Sequence, residues 1–295
     1  MLVDFHVHSA ASDGTFAPRE LAAAGAADGF AALAITDHDN TDGVGEFLSA
    51  CAEASANGSA MRAVAGVELS IEPGDGFDKF HLLGLGVDPE SASLKALLKQ
   101  VLDGRNERNE RIFENFRRIG IPHIAPEPHG EVLARPHFAR WLCEHGYARN
   151  IGMAFEKYLL PDSPRATRCY EERMHPSREE AFAAVHAAGG LCIMAHPKFW
   201  RRSWKSAGPE YADAERELAV LREMGLDGIE ARYQANTPEE DAAFTDIASR
   251  LGLLKTAGSD FHGANKPTIS LGMEVSDEFI GPFLERVHAI PQDMV

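Results

Sequence analysis

The stretch Asp4-Phe5-His6-Val7-His8-Ser9 decides how this chain is to be read. Val3, Phe5 and Val7 alternate with Asp4, His6 and His8, the period-2 pattern of a short strand. Alternation puts both imidazoles on one side, about 7 Å apart along the strand. Two imidazoles aimed at one point suit a transition-metal ion, for which neutral imidazole is a common ligand. A lone His-x-His would decide little. Here metal-type side chains recur at the close of apolar runs, in Ser12-Asp13-Gly14, Thr36-Asp37-His38-Asp39, Gly66-Val67-Glu68, Phe80-His81, Ala195-His196-Pro197 and Ser259-Asp260-Phe261-His262.

Outward from this stretch, strand and helix alternate. Residues 18–29 read as a helix with proline in its first turn and glycine at its end, and residues 31–36 as a buried strand stopping at Asp37-His38. A helix from Asp42 to about 58 and strands over 62–70 and 79–87 follow. From 91 to 176 the pattern is helical and broken by Pro122, Pro126, Pro128 and Pro136. Alternation then resumes, with strands at 191–195, 228–233 and 254–259 and helices at 177–188, about 210–224, 238–251 and 277–290. Seven short strands mostly separated by helices predict a parallel α/β barrel, made of residues 1–90 and 177–295, with 91–176 as a helical insertion. Such barrels place reacting groups at the carboxyl ends of strands. Asp13, His38, His196, Asp260 and His262 fit that rule and Glu68 nearly does, whereas His81 falls early in its strand and fits less well.

Composition bounds the function. The 295 residues are 44% hydrophobic and 25% charged, as in ordinary globular proteins. A net charge of −16 argues against general affinity for polymeric nucleic acid, so an anionic substrate must be drawn by a local positive site. Cys51, Cys143, Cys169 and Cys192 are scattered without a Cys-x-x-Cys pair. With no apolar run approaching ~18 residues and no leader before the first strand, the expected location is the reducing cytoplasm, with no membrane partner.

The ligand-type residues are His6, His8, Asp13, His38, Glu68, His81, His196, Asp260 and His262. Six histidines and three carboxylates exceed what one ion takes, which points to a multinuclear site of two or three divalent ions, Mn, Fe or Zn. Three such ions against three carboxylates would leave about +3, the local surplus an anionic substrate needs. That charge fits phosphoryl chemistry, in which metals activate water and stabilise attacking and leaving oxygens.

The ordered set HxH, SDG, TDHD, GVE, FH, AHP and SDFH resembles the polymerase-and-histidinol-phosphatase (PHP) family of metal-dependent phosphoesterases, over residues 1–88 and 190–263. The resemblance implies a distorted seven-stranded barrel whose insertion caps the active site, and hydrolysis by a metal-bridged hydroxide. It assigns His6, His8, Glu68 and Asp260 to a first metal. Glu68 would bridge to a second with His81 and His196, while Asp13, His38 and His262 would hold a third. His196, His262 and Asp260 are also the expected catalytic groups. The insertion, with Arg135-Pro136-His137, resembles the stand-alone branch acting on nucleotide 3′,5′-bisphosphates or cyclic ribose phosphates. A histidinol-phosphate-type phosphatase fits less well. A metal-dependent amidohydrolase acting on C–N bonds would use a similar barrel with a metal-bridging lysine, for which no position stands out.

The candidate phosphate-binding residues are Arg135 and His137 in the insertion and Lys198, Arg201 and Arg202 just past His196. Asp37 and Asp39 flank His38 and read as supporting groups. Glu230 closes a strand at the same rim, either orienting a ligand histidine or serving a structural role. The expected partner is a small phosphorylated substrate; the oligomeric state is not encoded in any motif.

Overall fold

The computed structural model describes residues 1–74, 79–127, 133–200 and 211–287. Among these, β1 (Leu2–Asp4), β2 (Ala32–Ile35), β3 (Arg62–Ile71), β4 (Phe80–Leu85), β5 (Leu191–Met194), β6 (Gly228–Tyr233), β7 (Leu254–Gly258) and β8 (Met273–Glu274) form one sheet. Their order is β7-β6-β5-β4-β3-β2-β1-β8, a nearly closed α/β barrel. Nine α-helices lie among the described residues: α1 (Pro18–Ala27), α2 (Val44–Ala56), α3 (Ala92–Arg118), α4 (Arg135–Glu144), α5 (Ile151–Ala154), α6 (Arg178–Ala187), α7 (Tyr211–Met224), α8 (Pro238–Leu251) and α9 (Asp277–Val287).

The sheet departs from the expected seven parallel strands in two ways. β1, β2 and β3 are mutually parallel, as are β5, β6 and β7, but β4 runs antiparallel to both β3 and β5. The cause is chain length: residues 72–79 are fewer than the dozen or so a parallel crossover needs. The eighth strand, β8, pairs antiparallel with β1 through Leu2↔Glu274 and Val3↔Met273. It is too short to leave a periodic signal in sequence.

The opening stretch supplies the closure. β1 ends at Asp4, short of the strand read from the alternation, because the chain then trades one neighbour for another. Phe5 N–H donates to the Ala257 carbonyl at 3.0 Å, Asp260 N–H to the His6 carbonyl at 2.9 Å and His8 N–H to the Phe261 carbonyl at 2.9 Å. On its other side, Thr36 N–H donates to the Val7 carbonyl at 2.8 Å. Residues 5–8 therefore lie extended between the ends of β2 and β7. Their apolar members anchor them: Val3, Phe5 and Val7 are fully buried, and Phe5 meets Phe283 of α9 edge-to-face at 4.8 Å. Each such burial contributes about 1.5–3 kcal/mol.

Helix ends carry local signals. Ser177 with Glu180 and Thr237 with Glu240 form capping boxes before α6 and α8, and Gly252 closes α8 in the left-handed conformation. The residues divide into two compact units, 1–98 with 176–295, and 99–175. The first contains the barrel. The second has its own core of Ile112, Phe116, Phe138, Leu142, Tyr158, Leu159 and Cys169. The four cysteines are free thiols, and no helix among the described residues is long and apolar enough to cross a membrane.

Candidate metal centre

All nine ligand-type residues belong to the barrel unit and converge at one end of the sheet. His6 and His8 come from the closing stretch, Asp13 from the loop after it, and His38 from just past β2. His196 follows β5, while Asp260 and His262 follow β7. Glu68 sits inside β3, paired by an isolated bridge with His38. His81 is the second residue of β4. Since β4 runs backwards, its beginning lies at the end where the parallel strands finish, which resolves the misfit seen in sequence. Ser70 is its register partner, two residues beyond Glu68.

Glu68 is the hub. Its carboxylate lies 2.8 Å from His81 Nδ1, 2.9 Å from His38 Nδ1, 3.2 Å from His8 Nε2 and His196 Nε2, and 3.3 Å from His6 Nε2. Asp260 Oδ1 stands 3.4 Å from His8 Nε2 and 3.6 Å from His6 Nε2. Asp13 reaches His262 Nε2 at 3.2 Å, His8 Nδ1 at 3.7 Å and His38 Nε2 at 3.8 Å. Two ligands each about 2.1 Å from one ion at tetrahedral or octahedral angles stand about 3.0–3.4 Å apart. Most of these separations lie near that span. His6 Nε2, both ring nitrogens of His8 and Glu68 Oε2 are buried with no hydrogen-bond partner among the described residues. Buried polar atoms left in that state call for an ion. The donor set therefore fits divalent transition metals bound through nitrogen and oxygen.

Tautomers follow from the outer partners. Glu230, fully buried on β6, takes His6 Nδ1 at 3.1 Å and the His196 backbone N–H at 2.6 Å. A carboxylate can only accept, so the His6 proton sits on Nδ1 and Nε2 faces the cluster. The Asp260 carbonyl does the same for His262 Nδ1 at 2.8 Å. Of the two roles open to Glu230 in sequence, orienting a histidine of the cluster is the one its contacts perform. Gly258 leaves the room: a Cβ there would run into Glu230 Oε1 and the His6 side chain.

Charge is arranged accordingly. Burial alone would raise Glu68, but His38, His81 and His6 hold it well below the usual carboxylate range. Burial would lower His8, yet Asp260 and Glu68 draw it up to about 9, and Glu230, Glu68 and Asp260 likewise raise His6. His81 and His262 are pushed down, chiefly by burial. Asp39, His196 and Asp260 adopt positive φ of 54°, 28° and 61°. Three non-glycine residues in that sparsely populated region, all beside the cluster, mark strain held where side chains must be aimed.

Several supporting residues escape sequence reasoning. Asp4 is fully buried and accepts from Ser259 N–H (2.9 Å), Ser259 Oγ (2.6 Å), Gly272 N–H (2.8 Å) and His6 N–H (3.2 Å). It fastens the opening stretch to the loop bearing Asp260. Its place within that stretch was the available signal. Tyr233 OH (3.0 Å) and Lys266 Nζ (2.6 Å) both donate to Asp260 Oδ2, leaving Oδ1 towards the histidines. Nothing in the sequence flags Lys266. Asp37 accepts from Ser9 N–H and from the hydroxyls of Ser9 and Ser12, in the supporting role expected of it. A cavity of about 550 Å³ opens over the cluster, floored by His38, Glu68, His81, His196 and Asp260 and rimmed by Phe199, Tyr233, Asn265 and Lys266.

Lys198 gives its ammonium to Glu240 (2.8 Å) and the Ala235 carbonyl (2.5 Å), so it does not reach the cluster. Arg201 and Arg202 lie outside the described residues. In the second unit, Arg135 opens α4, and buried His137 accepts the Ala134 N–H through Nδ1 at 2.9 Å, capping its own helix.

An α/β barrel with six histidines and three carboxylates gathered at one end of its strands defines the class of metal-dependent hydrolases. The PHP domain family model matches residues 4–101. The chain is 32% identical, over 88% of its length and 87% of the relative's, to a 3′,5′-nucleoside bisphosphate phosphatase of Chromobacterium violaceum. It is 31% identical to a 5′-3′ exoribonuclease of Haemophilus influenzae, over 88% of this chain and 89% of that one. A solved Chromobacterium violaceum structure, described as an amidohydrolase with bound sulfate and no metal, superimposes with a TM-score of 0.77 at 29% identity, covering 98% of this chain and 96% of that one. The chain belongs to the PHP family.

Proposed function

We propose that this enzyme hydrolyses P–O bonds of small phosphorylated ribose or nucleotide substrates, nucleoside 3′,5′-bisphosphates foremost and cyclic ribose phosphates next. The observation that carries the reading is Glu68, fully enclosed, with five histidine nitrogens within 2.8–3.3 Å of its carboxylate. Kinship with a bisphosphate phosphatase directs that chemistry to phosphorus. Two or three Mn, Fe or Zn ions are the expected cofactors, with His6, His8, Glu68 and Asp260 holding one, Glu68, His81 and His196 a second, and Asp13, His38 and His262 a third. Divalent ions so held supply water activation and charge neutralisation at phosphorus.

The chain's own residues do the rest. Glu230 keeps the His6 proton on Nδ1, and Tyr233 and Lys266 fix the outer oxygen of Asp260. His196 or His262, where not fully engaged by a metal, would protonate the departing sugar oxygen. The substrate's second phosphate falls to Arg135 and the basic run Lys198, Arg201 and Arg202, so that its binding energy goes into orientation. Lys198 must leave Glu240 to take part. The net charge of −16 favours small substrates over long polyanions.

Phosphate release from a panel of adenosine 3′,5′-bisphosphate, a cyclic ribose phosphate, AMP and a 5′-phosphorylated RNA oligonucleotide, with added Mn²⁺, tests the proposal. Fastest turnover of the bisphosphate is expected. Faster turnover of RNA would replace the small-substrate reading with the exonuclease one, and release from none would end the phosphoesterase reading. In ¹⁸O water the label is expected on phosphate; label in the alcohol would mean C–O cleavage.

A further inference from the structure

Among the described residues lining the cavity over the cluster, Lys266 is the single lysine or arginine. Its ammonium lies 2.6 Å from Asp260 Oδ2, yet its side chain stays 39% exposed, against 8% for Asp260. An ammonium carries three N–H donors and no acceptor, and Asp260 engages one of the three. The same oxygen also accepts from Tyr233 OH at 3.0 Å, and that tyrosine is buried. Asp260 is thus fixed from outside by a neutral donor even without the lysine. An ion pair as open as this one adds little to stability. Orienting Asp260 therefore leaves most of what Lys266 offers, two donors and a charge, unused.

The backbone that presents the lysine is fixed. Lys266 N–H donates to the Gly263 carbonyl at 3.2 Å, and the Lys266 carbonyl accepts from Ile269 N–H at 3.0 Å. Asn265 Nδ2 donates to the Asp13 carbonyl at 2.7 Å and Ala264 N–H to Thr15 Oγ1 at 3.0 Å, which staple this turn to the loop carrying Asp13. Gly263 permits the close approach: its φ is 61°, and a Cβ there would run into Thr15 Oγ1 and the Phe16 ring. A charge held in one place on the wall of a cavity is suited to a charge that develops in one place inside it. A phosphoryl group passing between oxygens spreads its negative charge over three equatorial oxygens, and catalysis of that transfer rests on positioning and on cations around them. A lysine ammonium meets such an oxygen as a compact point charge.

We propose that Lys266 is a catalytic residue: one N–H stays on Asp260 Oδ2 while another donates to a non-bridging oxygen of the phosphoryl group being cleaved. This deepens the function proposed above and rests on it for the identity of the ligand. In the reaction the water oxygen bonds to phosphorus and loses a proton. The P–O bond to the sugar breaks with its electron pair on the sugar oxygen, which gains a proton. Lys266 neither gains nor loses one; its hydrogen bond strengthens as charge builds on the oxygen it meets, so it acts on the transition state more than on the bound substrate.

Equilibrium dialysis of the full-length protein against radiolabelled inorganic phosphate, at saturating Mn²⁺ and again after chelation, isolates the Mn²⁺-dependent binding at this end of the barrel. Lys266→Met keeps a stem of similar length and removes the charge. Its Mn²⁺-dependent phosphate affinity should fall about 10- to 150-fold, as for loss of one charged hydrogen bond, and Lys266→Arg should recover part of that loss. Mn²⁺ affinity of Lys266→Met, read by competition with a fluorescent chelator, should match wild type, because Tyr233 still holds Asp260. No Mn²⁺-dependent binding by wild type, an unchanged phosphate affinity in Lys266→Met, or no recovery in Lys266→Arg would each overturn the proposal. An unchanged phosphate affinity together with a lowered Mn²⁺ affinity would make the lysine a positioning residue for Asp260 instead. Turnover is scored separately on metal-loaded protein, where kcat of Lys266→Met should fall at least as far as its phosphate affinity. Lys266-dependent phosphate binding without hydrolysis of any ester would defeat the phosphoesterase reading and leave the phosphate contact standing. Hydrolysis unimpaired in Lys266→Met would defeat the role of the lysine alone.

Discussion

Replacing Glu230 by Gln tests how His6 is prepared for the metal-binding role proposed for it. The change keeps shape and volume but turns one accepting oxygen into an NH₂ donor. Glu230 meets two donors, His6 Nδ1–H at 3.1 Å and the His196 N–H at 2.6 Å, through Oε1 and Oε2 respectively. An amide satisfies only one of them. If its oxygen keeps the shorter backbone bond, its NH₂ faces Nδ1, and the imidazole relieves the clash by moving its proton to Nε2. That nitrogen then points a proton at Glu68 and Asp260 and no longer ligates. The site is fully buried, so water does not rescue it. A lost hydrogen bond to a charged group is worth about 1.5–3 kcal/mol, which is about 10- to 150-fold in metal affinity. Competition of the purified variant against a fluorescent chelator for Mn²⁺ or Zn²⁺ measures this directly, with circular dichroism as the check on folding. A folded Glu230→Gln protein whose tightest site stays within threefold of wild type would refute the tautomer argument.

Glu68→Gln should lose both metal content and turnover, because it removes the charge that five histidines share. Arg135→Ala should keep its metal and lose kcat/KM; equal metal loss in the two would contradict that division. Gly258→Ala should cost about 1–3 kcal/mol through overpacking against Glu230 and His6, and an unchanged melting temperature would show the contact to be slack. The chelated protein should lose stability as pH rises from 6.5 through about 9, because His8 is held protonated to about 9 in the fold against 6.5 when unfolded. Its contribution is therefore complete below 6.5 and gone above 9. Added divalent metal should reverse the trend, since metal competes with those protons. A chelated melting temperature that is flat or rises across this window would count against the linkage.

The sequence by itself determined the inventory of ligand-type residues and the α/β character of the chain. Both depend on short-range signals: histidines and carboxylates closing apolar runs, proline and glycine bounding helices, and alternation in the opening residues. The nine ligand-type positions could be read this way because they cluster in short motifs in or beside apolar runs. Only tertiary structure decided the rest. His81 looked misplaced until β4 was seen to run backwards, a consequence of a connection too short to cross over. The opening stretch looked like an ordinary first strand, yet its carbonyls and N–H groups join β2 to β7, a pairing more than 200 residues distant in sequence that no local period encodes. Asp4, Glu230, Tyr233 and Lys266 gain their roles from that closure, because what a buried polar group does depends on which partners the fold delivers to it. Lys198 shows the converse. Its sequence neighbourhood placed it beside a ligand, but a carboxylate on α8, brought near only by folding, holds its charge elsewhere.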